Sequence, residues 1–190
     1  MFDKKATYTD VHHDLIQLCR KGNHKAQMQI YKLYYRSMFN TSLRIVKSAH
    51  DAEDIMQDSF IQAFDKLEQY KENGSFGGWL KSIIVNNSLD FIRKQTPQSE
   101  FSDQMELVEN ENEDSVVDMK LKDIKSALEN IKDEYRIIIS LYLFEGYDHE
   151  EISDILKISY NLSRTRYSRA KKKLLEKVQQ IQKERSLQWA

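Results

Sequence analysis

Residues 146–159 read GYDHEEISDILKIS, and the order of caps and apolar positions in this stretch decides how the surrounding chain is organised. Asp148 stands three residues before Glu151, the spacing at which an N-cap acid and a first-turn carboxylate satisfy each other's backbone N–H groups in a capping box. Ile152 and Leu156 follow one turn apart on a single face. The stretch therefore reads as a short capped helix, a tight turn and the start of another helix, the layout of a helix-turn-helix. In such a motif the second helix enters the DNA major groove, so its outward side needs polar or basic groups that reach base edges and phosphates. At about 100° per residue, a helix begun at Asn161 puts Ser163, Tyr167, Ala170, Leu174 and Val178 on one side. Asn161, Arg164, Thr165, Ser168, Arg169 and Lys172 fall on the other. A basic helical run by itself is more often a solvated face; the capped helix and tight turn in front of this one favour a recognition helix.

Working outward, helical spacing recurs in Leu121-Ile124-Leu128-Ile131 and in Tyr135-Ile138-Ile139-Tyr142. Residues 120–185 thus form a second block of four helices. Before it, residues 96–119 hold the sole proline of the chain and a run of acids including Glu106, Glu109, Glu111, Glu113 and Asp114. That composition cannot bury enough apolar surface to fold alone and reads as a flexible acidic linker. Roughly 25 residues of it could extend to ~85 Å.

Residues 10–95 form the first block. A short helix carries Leu15, Leu18 and Cys19, and a long one carries Ile30, Leu33, Tyr34, Met38, Ser42 and Ile45. Ser48 or Asp51 caps a third, whose Ala52, Ile55, Met56, Ser59, Phe60, Ala63 and Leu67 make one apolar stripe. Phe76, Trp79, Leu80, Ile83 and Ile84 open a fourth, ending near Arg93 because Pro97 cannot continue it. Trp79, beside Leu80 on the apolar face, reads as core rather than as a stacking platform.

One Pro and five Gly in 190 residues leave too little turn punctuation for strands. The expected fold is all-α: two small helical domains joined by a flexible acidic linker. A net charge of −1 hides an acidic middle and a basic end, as for a nucleic-acid surface behind an acidic tether. The single Cys19 excludes an internal disulfide. No stretch approaches the ~20 apolar residues of a membrane span, and the first residues lack the apolar run of a signal peptide, so a cytoplasmic chain without membrane insertion is expected. His12, His13 and Cys19 lack a partner pattern, and no phosphate loop, metal-ligand spacing or nucleophile elbow occurs. Neither an enzyme, a cofactor nor a metal site is expected.

Opposite the apolar stripe of the third helix, Asp54, Gln57, Asp58, Ile61 and Asp65 share a face. An acidic rim around one apolar residue suits a protein partner with a basic surface, although a solvated face with a stray Ile reads equally well from chemistry alone.

The segment ALENIKDEYRIIISLYLFEGYDHEEISDILKISYNLSRTRYSRAKKKLLEKV resembles the promoter-binding C-terminal domain, region 4, of extracytoplasmic-function sigma factors in the sigma-70 family. Where that family commonly has Ser-x-Gly-Thr, this chain has Ser159-Tyr160-Asn161-Leu162; Asn161 stands at the position where Gly supplies conformational freedom. The resemblance implies that Arg164, Thr165 and Ser168, with Asn161 at the helix start, face the bases of the minus-35 element, and that Arg166, Arg169 and Lys172 lie nearer phosphates. The string from Asp51 to Phe60 resembles the family's core-binding segment in region 2, which implies that Asp54, Gln57, Asp58 and Ile61 meet the β′ clamp coiled coil of core RNA polymerase. FGGWLKSIIVNNSLDFIRK resembles the next family segment through Phe76, Trp79, Leu80, Ile83, Asn86, Asp90 and Arg93. There a loop and helix capture the minus-10 element as single strand, with one base out of the stack, which implies contacts from Tyr70, Lys71, Ser75 and Asn86. The family further implies the polymerase β subunit, promoter DNA and an anti-sigma factor as partners. The main alternative is a helix-turn-helix repressor or activator that binds duplex DNA unaided.

Overall fold

A computed structural model describes residues 10–95 and 121–187. The expected linker, 96–119, lies outside the described residues. The chain divides into two compact units, Met1–Gln95 and Thr96–Ala190, and the elements described in both are helices.

The first unit holds α1 (His13–Arg20), α2 (His24–Val46), α3 (Ala49–Asp65), a 3-10 turn at Leu67–Gln69, and α4 (Phe76–Gln95). Asn23 caps α2 by accepting from the Ala26 N–H at 3.1 Å, and Ser48 caps α3 by accepting from Asp51 at 3.3 Å. Between α2 and α3 the chain reverses at Lys47, which adopts a positive φ of 67°. All seven residues of the expected α3 stripe are buried, Leu67 from within the 3-10 turn. This stripe packs against α2 and α4, and its polar member is satisfied: the Ser59 hydroxyl donates to the Ile55 carbonyl at 2.6 Å and accepts from Asn87 Nδ2 at 2.8 Å. A second buried pair, Ser42 Oγ and Ser88 Oγ at 3.0 Å, joins α2 to α4.

Two expected core positions are corrected. Leu33 is 52% exposed and Leu18 is also exposed. The buried line of α2 runs through Ala26, Ile30, Met38, Thr41, Ser42 and Ile45, and Leu33 lies roughly 100° off its centre on a helical wheel. In α1 the inward positions belong to Ile16 and Cys19.

The second unit holds α5 (Leu121–Glu129), α6 (Asp133–Ile139) continuing into a π-helical turn at Ser140–Phe144, α7 (His149–Leu156) and α8 (Tyr160–Leu187). Residues 136–141 are all buried, so the end of α6 and the start of the π-helical turn show no amphipathic period; Tyr142, expected inside, stands at the rim. Leu121, also expected inside, is 78% exposed. Asp123, buried in α5, pairs with Arg185 near the end of α8.

The capping box forms as read: the Glu151 N–H donates to Asp148 Oδ1 at 2.8 Å, and the Asp148 N–H donates to Glu151 Oε2 at 2.9 Å. The turn to α8 is made by Lys157 in the left-handed conformation, φ 58°. Ser159 then caps α8 by accepting from the Leu162 N–H at 3.2 Å. The helix therefore starts at Tyr160, one residue before the expected Asn161, and Asn161 sits inside its first turn. Because Lys157 supplies the left-handed residue, position 161 has no need of glycine's freedom.

His149 fastens α7 to α8. Its ring stacks on Tyr142 at 4.8 Å, meets Tyr167 edge-on at 5.6 Å, and its Nδ1 lies 2.9 Å from Ser163 Oγ. Burial, and then the positive Arg164, hold the imidazole below its usual 6.5, with Asp148 opposing. The unfolded chain therefore binds this proton more readily, so the contribution of neutral His149 is complete above the unfolded value and is lost as pH falls through the lower folded value. An NMR titration of the His149 ring is expected to show a midpoint below 6.5, and a midpoint above that value would contradict the arrangement.

Candidate nucleic-acid interface

Three outward surfaces follow from the way the helices are locked on their inner sides. On α3, burial of the stripe turns Asp54, Gln57, Asp58, Ile61 and Asp65 to solvent, with Ile61 61% exposed. Asp54 pairs with His50 at 3.1 Å one turn back, and Gln57 donates to Glu53 at 3.3 Å. The four residues expected to meet a protein partner are thus brought together on one exposed acidic face around a bare apolar side chain.

The second surface is the loop between α3 and α4. Gln69, Tyr70, Lys71, Asn73, Gly74, Ser75, Gly78 and Trp79 line a cleft of about 340 Å³. Lys71 and Ser75 are exposed as expected, and Ser75 Oγ accepts from the Gly78 N–H at 3.0 Å, shaping the first turn of α4. Tyr70, expected with Lys71 and Ser75 to supply the loop, is largely enclosed. It is 3% exposed, its ring sits 5.5 Å from those of both Phe76 and Trp79, and its hydroxyl donates to the Gly74 carbonyl at 2.6 Å, closing the loop. Only an edge of Tyr70 is left to the cleft.

Trp79 packs against the core as read, its ring beside the buried Tyr70 and Phe76, but it is only half-buried and its other side forms part of the cleft wall. A Cβ at Gly77 would come 2.8 Å from the Tyr34 ring, so glycine there lets the first turn of α4 lie close to α2. Asn86 is exposed two turns further along α4, on the same line as Trp79, but it does not line the cleft. Its neighbour Asn87 is instead built into the core contact, donating to Ser59 Oγ at 2.8 Å and Gln62 Oε1 at 2.9 Å.

The third surface is α8. Asn161, Arg164, Ser168 and Lys172 are exposed, with Thr165 and Arg169 half-buried on the same side, opposite the buried Ser163, Ala170 and Val178. Arg164 lies over the Tyr160 ring at 6.0 Å, near the start of the helix. Arg166 does not join this group: it is half-buried and roughly 130° round the helix from the centre of the outward stripe. Lys171, absent from the expected set, stands exposed beside the Arg164 edge with its Nζ 5.5 Å over the Tyr167 ring. Among the described residues no cluster of three or more His, Cys, Asp or Glu could hold a metal ion, and no helix is long and apolar enough to cross a membrane.

Comparison with known proteins assigns both units. Residues 30–98 match the family model described as Sigma-70 region 2, and residues 121–174 match that described as Sigma-70, region 4. The RNA polymerase sigma factor SigV of Bacillus subtilis is 32% identical over 140 residues, covering 73% of this chain and 80% of its own. The ECF RNA polymerase sigma factor SigW of the same organism is 27% identical over 179 residues, covering 87% of this chain and 96% of its own. Among solved structures, the sigma factor RpoE in complex with the anti-sigma factor NepR from Bartonella quintana superposes with a TM-score of 0.56 at 22% identity, covering 80% of this chain and 96% of that one. With region 2 followed by region 4 along one polypeptide, the chain belongs to the sigma-70 family as an extracytoplasmic-function (ECF) RNA polymerase sigma factor.

Proposed function

We propose that this alternative sigma factor assigns one task to each of the three surfaces. The acidic face of α3 docks on the β′ clamp coiled coil of core polymerase, with Ile61 at the centre and Asp54, Gln57 and Asp58 around it. The cleft beside Trp79 takes one base of the melted minus-10 element, the ring of Trp79 offering a stacking wall and Lys71 and Ser75 meeting the backbone, while Asn86 contacts the strand further along α4. The outward side of α8 enters the major groove at the minus-35 element, Arg164, Thr165 and Ser168 facing base edges and Arg169 and Lys172 facing phosphates. The domains are the region 2 bundle over 10–95 and the region 4 helix-turn-helix over 120–185, tethered by 96–119. The factor acts in the cytoplasm, catalyses no reaction of its own, touches the β subunit within the holoenzyme and is held inactive by an anti-sigma factor, as the solved complex of the RpoE relative with NepR suggests.

The observation that carries this reading is the pairing, in one chain, of a basic outward face on α8 with an acidic, apolar-centred face on α3. A protein that binds duplex DNA unaided has no need of the second. The isolated chain is accordingly expected to bind duplex promoter DNA poorly, because on this reading its acidic 96–119 segment opposes the phosphates and polymerase is needed to engage both promoter elements together. A gel-shift titration with and without core polymerase checks this, and tight sequence-specific binding by the chain alone would count against it.

Asp54→Ala together with Asp58→Ala is expected to leave the circular dichroism spectrum intact and to reduce copurification with core polymerase, since both side chains are exposed. An unchanged yield of polymerase would remove the α3 face from the mechanism. On α8, Arg164→Ala is expected to cost about 1–3 kcal/mol and to relax preference at one position of the minus-35 element, whereas Lys172→Ala should weaken all sequences alike and lower the salt slope by roughly one. Selection on randomised minus-35 DNA with holoenzyme separates the two, and an Arg164→Ala profile identical to wild type would show that Arg164 reads no base.

A further inference from the structure

The loop that lines the cleft is held from outside by α1, an element that precedes the matched residues 30–98. Its anchors are polar and long-range. At the start of the loop, Arg20 Nη2 donates to the Tyr70 carbonyl at 2.7 Å. In the middle, the Glu72 carboxylate accepts from Arg20 Nη1 at 2.6 Å and Gln17 Nε2 at 2.9 Å, and lies 3.2 Å from His13 Nδ1. At the end, the buried Asp10 accepts from the Phe76 N–H at 2.7 Å with one oxygen and from the His12 N–H at 2.8 Å with the other.

His13, Gln17 and Arg20 are spaced four and three residues apart, so one face of α1 converges on a single carboxylate. Glu72 itself has a positive φ of 56°, a conformation that a side-chain-bearing residue keeps only when its surroundings impose it. Glu72 is absent from the cleft wall, while its neighbours Lys71 and Asn73 on either side belong to it. The helix is seated by other residues, since Ile16 and Cys19 bury its apolar side. Partly exposed ion pairs of this kind add little to folding stability.

We propose that α1, with Asp10 just before it, is a positioning element for minus-10 recognition: Asp10, Gln17 and Arg20, the last two gripping Glu72 of the loop, impose the loop shape that presents Lys71 and Asn73 to the DNA. This rests on the loop being the minus-10 reader, and the test separates the two claims.

Holoenzymes carrying wild type, Arg20→Ala, Glu72→Ala, Glu72→Gln and the double variant Lys71→Ala with Asn73→Ala are compared by selection on templates randomised at both promoter elements. Copurification of core polymerase is measured alongside. Arg20→Ala and Glu72→Ala are expected to lose preference at minus-10 positions while keeping the wild-type minus-35 profile and polymerase yield. Glu72→Gln still accepts from Gln17 and Arg20, and should recover preference that Glu72→Ala loses; a variant that is merely unfolded would lose the minus-10 and minus-35 profiles and polymerase together. If the Lys71–Asn73 double variant changes the minus-10 profile and Glu72→Ala leaves it at wild type, the positioning role is overturned and the reading of the loop stands. If neither changes it, both claims fall.

Discussion

The contact of α3 with α2 and α4 along Ala52, Ser59 and Ala63 is the constraint on which the first unit depends. These three small residues are fully buried, and Ser59 is tied to its own helix and to Asn87 on α4. Small side chains let the helices approach closely, and a satisfied hydroxyl in the contact penalises any rotation of α3 that would break it. Since a helix locked on one side has its other side determined by the 3.6-residue period, the acidic face and Ile61 are turned outward as a consequence of the core, with no separate device to hold them there.

The second unit uses the same logic with a longer helix. Ser163, Ala170 and Val178 are fully buried on the inner line of α8, and the first turn is fastened twice, by the Ser159 cap and by His149 reaching Ser163. A reading helix has to present side chains to base edges within fractions of an ångström, and its N-terminal turn is the part that enters the groove. Fastening is densest in that turn, where Arg164 also lies over Tyr160. Further along, Lys171 and Lys172 stand exposed.

Features that depend on local order were legible in the sequence. The capping box of Asp148 and Glu151, the seven-residue stripe of α3 and the outward set on α8 all rest on spacings of three to seven residues, and these positions are where the chain places them. Resemblance of the two quoted segments to one family pointed to the same family that the matched relatives show. What was not legible depends on contacts between residues distant in the chain. Tyr70 was expected among the loop residues that meet DNA, and nothing near it in sequence announces Arg20, 50 residues earlier, as the partner of its carbonyl. Trp79 was read as core and does pack against it, but that its other side also lines a cleft with residues 69–75 was not legible. The start of α8 was misplaced by one residue because Lys157, not a glycine or asparagine, takes the left-handed position, which side-chain statistics disfavour.

In the proposed division of tasks, surfaces on both units serve one event. The central claim is that this chain confers promoter-specific initiation on a polymerase that lacks it. The most direct test is transcription in vitro by purified core RNA polymerase on a library of promoter-sized fragments, with and without the chain, followed by mapping of transcript starts. Defined starts are expected only when the chain is present, sharing two sequence elements at a constant separation. Starts that are the same with and without the chain would contradict the central claim.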